Sequence, residues 1–303
     1  MKTDLTTDLS VRQISLIGLG LLGSAVARRL MSLGWRVVGY DLNRESLNKF
    51  GADGGQVAES LIECVEGSQY CIFCLPDEKV SREVLAELLS RLEAPRELTI
   101  FDMTTGDPDV MKENFAICAA QGVSYLDTCV AGSSVEAEQG EAILMVGGDV
   151  ATFESCREVL DFMSRQVFYV GLAGDGARMK LVTNLVLGLE RLVLAEGFHL
   201  AKSVGLNLNK TLEILKAGPA RSHVMTTKGE KMIEADWVPQ ARLGQHWKDV
   251  NLILSQSDRS GIDLPLSKLH AEILEQCHKK GWGEFDNSAV YLAYSAEKSE
   301  STR

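Results

Sequence analysis

Long hydrophobic runs are missing from this chain of 303 residues. No stretch approaches the roughly 20 apolar residues that a membrane span requires, so no membrane partner is expected. The first ten residues, MKTDLTTDLS, are polar and lack the apolar core of an export signal. They are expected to fray, and with no export indicated the chain reads as cytoplasmic. Basic residues are outnumbered, 31 Lys and Arg against 42 Asp and Glu, for a net charge of −11. Phosphate contacts need clustered cations, which argues against a nucleic-acid partner; a small anion held in one locally positive cleft is still compatible. The seven cysteines are odd in number, and Cys71 and Cys74 form a lone C-x-x-C inside the apolar segment YCIFCL. They read as reduced thiols packed in a strand. His, Asp and Glu form no cluster at ligand spacing, so no metal is expected.

What is present begins with VRQISLIGLGLLGSAVARRL. Ile14, Leu16 and Ile17 make a short apolar strand that runs into Gly18, Gly20 and Gly23. The first glycine permits a tight turn, the second lets backbone approach a pyrophosphate, and the third lets the next helix lie close on the strand. Ser24 to Leu33 is helical in pattern, and Trp35 to Tyr40 is a second strand stopping at Asp41. An acid about 20 residues past the glycines is where a ribose 2′-hydroxyl is gripped, and a carboxylate there repels a 2′-phosphate. The order predicts a bound nicotinamide dinucleotide, NAD in preference to NADP, with Arg44 softening that preference. Gly18, Leu19, Gly20, Leu21, Leu22, Gly23 and Asp41 are the candidate contacts.

Strands and helices alternate through the first half, as a doubly wound parallel sheet requires. Further strands are expected at Tyr70 to Leu75, Leu98 to Asp102, Ser124 to Asp127, Ala142 to Val146 and Val167 to Val170. Beyond Gly171 the candidates are helices: Ala177 to Val204, Lys210 to Ala217, Ser222 to Ala235, Leu243 to Ser260 and Pro265 to Lys280. The expected fold is therefore α/β, a Rossmann domain over residues 1–172 followed by an all-α domain over 173–303. The first long helix, LVTNLVLGLERLVLAEGFHLA, is apolar on nearly all sides. It is expected to be buried throughout, partly against a second subunit, which predicts a homodimer or higher homo-oligomer. Near its start Lys180 and Asn184 stand four residues apart, so an ammonium and an amide share one helical face. They are the candidate catalytic and substrate-binding pair.

Loops after strands carry ligands in such sheets. Here these are the Leu75-Pro76 turn, DMTTGDP with Thr104 and Thr105, and DTCVAGSSVEAEQG with Ala131, Gly132 and Ser133. Taken with GLGLLG, GDGARMKLVTN, HWKDVNLIL, LPL and the late GWGEFDNSAV, these motifs resemble the β-hydroxyacid dehydrogenase family over nearly the whole length. The resemblance implies NAD(P)-linked oxidation of a small 3-hydroxy acid, or reduction of the matching semialdehyde. It implies Lys180 as the catalytic residue, Asn184 as a substrate ligand, and Leu75, Pro76 and Thr105 as cofactor contacts; Thr104, with its hydroxyl in the same loop, is a further candidate cofactor contact. By the same resemblance Lys248 faces the nicotinamide, and Asp249 orients Lys248 or caps its helix.

The loop at Asp127 departs from the family's Asp-Ala-Pro-Val-Ser-Gly-Gly. Thr128 and Cys129 replace Ala-Pro, Ala131 replaces the serine, and Ser133 replaces the second glycine. Losing that hydroxyl removes a hydrogen bond worth about 0.5–1.5 kcal/mol unless Ser133 or Ser134 takes the role. A different substrate head group or pose is the expectation. Two alternatives stand beside the leading reading: a reductase of another carbonyl or imine, and a cofactor-binding scaffold or sensor without turnover.

Overall fold

A computed structural model describes residues 12–92 and 97–295; the polar N-terminal stretch expected to fray lies outside the described residues. The strands are β1 Gln13–Ile17, β2 Arg36–Tyr40, β3 Gln56–Val57, β4 Tyr70–Phe73, β5 Thr99–Asp102, β6 Ser124–Ala131, β7 Ile143–Gly148 and β8 Gln166–Gly171. Between them run α1 Leu21–Ser32, α2 Arg44–Ala52, α3 Leu61–Val65, α4 Glu78–Arg91, α5 Pro108–Ala120, α6 Ser134–Gln139, α7 Val150–Ser155 and α8 Arg157–Met163. Then come α9 Asp175–Ser203, α10 Leu208–Ala217, α11 His223–Glu234, α12 Leu243–Ser260, α13 Pro265–Lys279, a 3-10 turn Asn287–Tyr291 and α14 Leu292–Ser295. The chain divides into two compact units, Met1–Lys180 and Leu181–Arg303, so α9 belongs to both. No helix among the described residues is long and apolar enough to cross a membrane.

In the first unit one sheet has the order β3-β2-β1-β4-β5-β6-β7-β8. Helices cover both faces, so the central strands β1, β4 and β5 are buried on both sides and read as largely apolar runs. Ile14 and Leu16 of β1 enter one core with Phe101 and Leu126, while Ile17 enters the other with Phe73 and Ile100. The order reverses between β1 and β4, and ligands of open α/β sheets bind beyond the carboxyl ends of strands at such a switch.

Two expectations need correction here. The sheet is parallel only through β6; β7 runs antiparallel to β6, and β8 follows β7 in parallel. A parallel return needs a crossover of about a dozen or more residues carrying a helix that spans the sheet, and the short α6 connection does not supply one. The strand expected to stop at Asp127 therefore continues to Ala131. Thr128, Cys129, Val130 and Ala131 pair with Val146, Met145, Leu144 and Ile143, so the first five residues of the expected loop, Asp127 to Ala131, are strand.

The second unit packs α9 to α14 around Phe198, Leu212, Met232, Val250, Leu274 and Val290. Pro265 opens α13 at its first position, where its missing N–H costs no helical bond. Burial of α9 throughout is also corrected. Met179, Val182, Val186, Val193 and Leu200 are exposed, Val193 by 69%. Four of them, Met179, Val186, Val193 and Leu200, repeat every seven residues, which keeps them on one stripe.

Candidate active site

Gly18 follows β1 with φ +94, and a Cβ there would lie 2.3 Å from the Cys74 carbonyl oxygen. Only glycine lets the turn after β1 lie against the end of β4. A Cβ on Gly23 would meet the Gly18 carbonyl oxygen at 1.9 Å, so that glycine sets α1 close upon the turn. Gly20 differs, because nothing lies within 4 Å of its Cβ position and no side chain caps the helix that starts after it. Backbone N–H groups at such a start favour an anion, and open space over Gly20 admits a pyrophosphate. Leu19 is buried beneath the turn, Leu22 half-buried, and Leu21 exposed.

Asp41 closes this cradle. Its carboxylate accepts from Leu19 N at 2.6 Å and from Asn43 N at 2.7 Å, one bond to each oxygen. Each oxygen keeps a second lone pair, as holding ribose hydroxyls requires. On the other side of the switch, Leu75 N donates to Thr104 Oγ1 at 3.2 Å, and Thr104 N donates to Asp102 Oδ1 at 2.9 Å. Asp102 is buried, which pushes its carboxyl up, while Ser81, Thr104 and the Tyr125 hydroxyl hold it through hydrogen bonds. Pro76 is exposed and Thr105 half-buried beside these anchors. The residues present fit a nicotinamide dinucleotide.

A second group of contacts fixes the start of α9. Asp127, fully buried at the point where β6 leaves its parallel partner, accepts from Gly174 N at 3.0 Å and Ala177 N at 2.9 Å. A Cβ on Gly176 would meet the Asp127 carbonyl oxygen at 2.5 Å, so glycine is what permits the approach. Lys180 lies one turn further, and its Nζ donates to the Val130 carbonyl oxygen at 2.6 Å. Strand β6 thus holds both the helix end and the ammonium. Ala131 ends the strand and Gly132 follows with φ +147. The Ser133 hydroxyl accepts from Glu136 N and donates to Glu136 Oε2, while Ser133 N donates to the same carboxylate. That capping box commits Ser133 to starting α6.

Burial raises the Asp127 carboxyl from 3.8 to about 6, against the N–H bonds from Gly174 and Ala177, and Asp102 adds to the rise. A carboxyl raised in the folded state lends stability that is full below its unfolded value and is lost as pH rises through the folded value. Between pH 5 and pH 7 that loss is about 1 kcal/mol at 1.36 kcal/mol per unit. Asp127→Asn carries no such titration. Its stability relative to the natural chain is therefore expected to improve by about 1 kcal/mol from pH 5 to pH 7, read from urea midpoints. A gap that widens with pH would contradict this assignment.

Asn184, buried one turn beyond Lys180, donates from Nδ2 to Asp249 Oδ2 at 2.9 Å. Lys248 Nζ stands 3.6 Å from the other oxygen of Asp249. Asp249 thus meets both Lys248 and Asn184, and the second contact was not foreseen. His246 is buried, its ring 5.2 Å from that of His270, and both pack where a Cβ on Gly188 would lie. Burial lowers the His270 imidazole to about 4, and Arg191 adds to the fall. Arg191 escaped sequence reading; it is buried near Asp286 and Asp249, and its seven-residue offset from Asn184 was the available signal. Arg221 is exposed. Cys129 packs beneath Thr104, 3.9 Å from its carbonyl oxygen, and all seven cysteines are free. No group of three or more His, Cys, Asp or Glu among the described residues could hold a metal.

A glycine cradle at the switch point of a doubly wound sheet, with an acid closing it, defines a Rossmann-type dinucleotide-binding fold. Residues 13–171 match the family described as NAD binding domain of 6-phosphogluconate dehydrogenase. Residues 174–294 match the one described as NAD-binding of NADP-dependent 3-hydroxyisobutyrate dehydrogenase. The chain belongs to the β-hydroxyacid dehydrogenase family. It is 29% identical to glyoxylate/succinic semialdehyde reductase 1 of Arabidopsis thaliana, covering 93% of this chain and 98% of that one. It is 25% identical to the cytokine-like nuclear factor N-PAC of Drosophila melanogaster over 93% of this chain but 47% of that protein. The chain spans about half the length of most of these curated relatives. Among solved structures, Mycobacterium tuberculosis 3-hydroxyisobutyrate dehydrogenase with L-serine is 25% identical, covering 94% of this chain and 100% of that one, with a TM-score of 0.83.

Proposed function

We propose that the chain is an NAD(P)-dependent oxidoreductase that interconverts a small 3-hydroxy acid and its semialdehyde, with Lys180 as acid and base. The observation that carries this is the seating of Lys180 Nζ on the Val130 carbonyl oxygen, on the helical face it shares with Asn184. The bound nicotinamide supplies the acceptor or donor of hydride. In the oxidative direction a carbinol oxygen gains negative charge as it loses its proton. An ammonium held beside that oxygen stabilises it, and the neutral amine takes the proton. The Val130 carbonyl directs one ammonium proton and so aims the group. Gly18 to Gly23, Asp41, the Leu75-Pro76 turn, Thr104 and Thr105 hold the dinucleotide, NAD in preference to NADP, and Lys248 faces the nicotinamide.

Residues 1–172 would serve as the cofactor domain and 173–303 as the substrate and dimerisation domain. Ala131 brings no hydroxyl and Ser133 spends its own on α6, which favours a head group that asks for no side-chain hydrogen bond there. The exposed stripe Met179, Val186, Val193 and Leu200 supports a homodimer built along α9. Val193→Glu is expected to halve the mass seen by sedimentation from twice 33.1 kDa to one chain. A natural chain that already sediments as a monomer overturns the dimer.

The test of function is a panel of short semialdehydes and hydroxy acids followed by NADH and NADPH absorbance. Turnover of a semialdehyde or 3-hydroxy acid supports the proposal, and turnover confined to imines or other carbonyls replaces it. Binding of NADH with no turnover favours a scaffold, the reading that the match to a nuclear factor supports.

A further inference from the structure

The last residue of β5 is an acid among apolar neighbours: Ile100, Phe101 and Met103 are buried around Asp102, which is itself fully buried. A carboxylate taken out of water is costly unless donors meet its oxygens. Here they are met, and the three donors are neutral. Thr104 N donates to Oδ1 at 2.9 Å, while the Tyr125 hydroxyl at 2.8 Å and the Ser81 hydroxyl share Oδ2. Thr104 passes the constraint on, because its Oγ1 accepts from Leu75 N at 3.2 Å. One buried acid thus ties the loop after β5 to the loop after β4, and anchors both to α4 through Ser81 and to β6 through Tyr125.

The two sides of the switch point have separate anchors. Asp41 ties Leu19 N and Asn43 N beyond β1 and β2, where the acid that grips the adenosine ribose of a dinucleotide stands. Asp102 ties Leu75 and Thr104 beyond β4 and β5, the side left for the second mononucleotide. We propose that Asp102 is a positioning residue for the nicotinamide half of the cofactor: it fixes the Leu75 and Thr104 backbone that this half meets and leaves the adenosine half untouched. The inference rests on the dinucleotide contacts proposed above and divides them between two acids. Asp102 acts through the direction of its lone pairs and not through its charge, so asparagine can replace it. Oδ1 would still accept from Thr104 N, and the two protons of Nδ2 would meet the Ser81 and Tyr125 oxygens, since hydroxyls accept as well as donate. Tyr125 then has Met111 Sδ, 3.1 Å from its oxygen, to receive its own proton.

Calorimetry with NADH and with ADP, which carries the adenosine and the pyrophosphate alone, reads the two halves apart. Asp102→Ala is expected to bind NADH about tenfold more weakly than the natural chain, the size of one lost hydrogen bond, and ADP within about twofold of it. Asp102→Asn should keep both affinities within about threefold, as a satisfied isostere does. Should Asp102→Ala not fold, Ser81→Ala with Asp102→Leu and Tyr125→Phe removes the buried polar cluster together with its partners. That variant leaves Thr104 N without its acceptor and should show the same split. Equal losses for the two ligands, or failure of both variants to fold, would make Asp102 a residue of the fold alone. Unchanged NADH affinity in a folded variant without the acid, or an asparagine variant as weak as the alanine one, also overturns the inference; each of these outcomes leaves cofactor binding standing. If the natural chain binds neither NADH nor ADP, the dinucleotide reading falls, and this inference falls with it.

Discussion

Lys180→Ala is expected to lower kcat about a thousandfold while leaving the dissociation constant of NADH within about twofold. Positioned proton transfer contributes about 10²–10⁴ in rate, and in the proposed mechanism the same ammonium also offsets the charge that grows on the carbinol oxygen. Alanine removes both. The proposed dinucleotide contacts lie elsewhere, at the Gly18 turn, Asp41 and the Leu75–Thr104 hydrogen bond, so on that reading binding of reduced cofactor has no reason to change. Lys180→Arg is the sharper control. Guanidinium keeps the charge but does not give up its proton near neutral pH, and its planar fork spreads that charge where lysine concentrates it on the one nitrogen seated against the Val130 carbonyl. It should remain at least a hundredfold impaired. Single-turnover mixing separates the chemical step from product release, and near-normal turnover by either variant would remove Lys180 from the mechanism.

How much of this was readable depends on what each residue must do locally. Gly18 and Gly23 were legible because a backbone approach within 2.3 Å of a Cβ position has one solution among the residues. That Lys180 and Asn184 share a face of α9 followed from helical periodicity alone. The direction of β7 was not legible, since alternation and apolar content are the same for parallel and antiparallel strands, and the antiparallel return is what extends β6 to Ala131. Burial of α9 was misjudged for a related reason: apolar residues all round a helix say that it needs partners, not that one chain supplies them. Ser133 could have been caught. Ser133-Ser134-Val135-Glu136 is the S-x-x-E pattern of a capping box, and its hydroxyl was therefore spoken for before any substrate. The Asn184–Asp249 contact spans 65 positions and leaves no local trace.

The late motif GWGEFDNSAV shows the same divide, and Lys228→Met exposes its physical role. Asp286 of that motif is fully buried; it accepts from Lys228 Nζ at 2.9 and 3.0 Å, from Gln240 N at 2.9 Å, from Ala241 N at 3.3 Å and from Ser288 N at 3.0 Å. One carboxylate thereby joins α11, the segment leading to α12 and the 3-10 turn. Burial pushes its carboxyl up, but Lys228 and the N–H donors outweigh burial and hold it below the ordinary range. Methionine keeps the length of lysine and strands the charge. Breaking a buried pair from one side costs about 3–5 kcal/mol, and Arg191, which also feels Asp286, places the expectation near the lower bound. The sign with pH follows from the depressed carboxyl: its contribution is present above the unfolded value and lost as pH falls through the folded one. The gap between natural chain and variant should therefore be widest near neutrality and narrow toward pH 4, where protonation relieves the stranded charge. Three of the four tryptophans, Trp237, Trp247 and Trp282, lie in the second unit, so in a Trp35→Phe background the fluorescence in urea reads the unfolding of that unit. A loss below about 1 kcal/mol at pH 7, in the range of an exposed pair, would mean that Asp286 is held by its N–H donors alone and that the lysine is incidental.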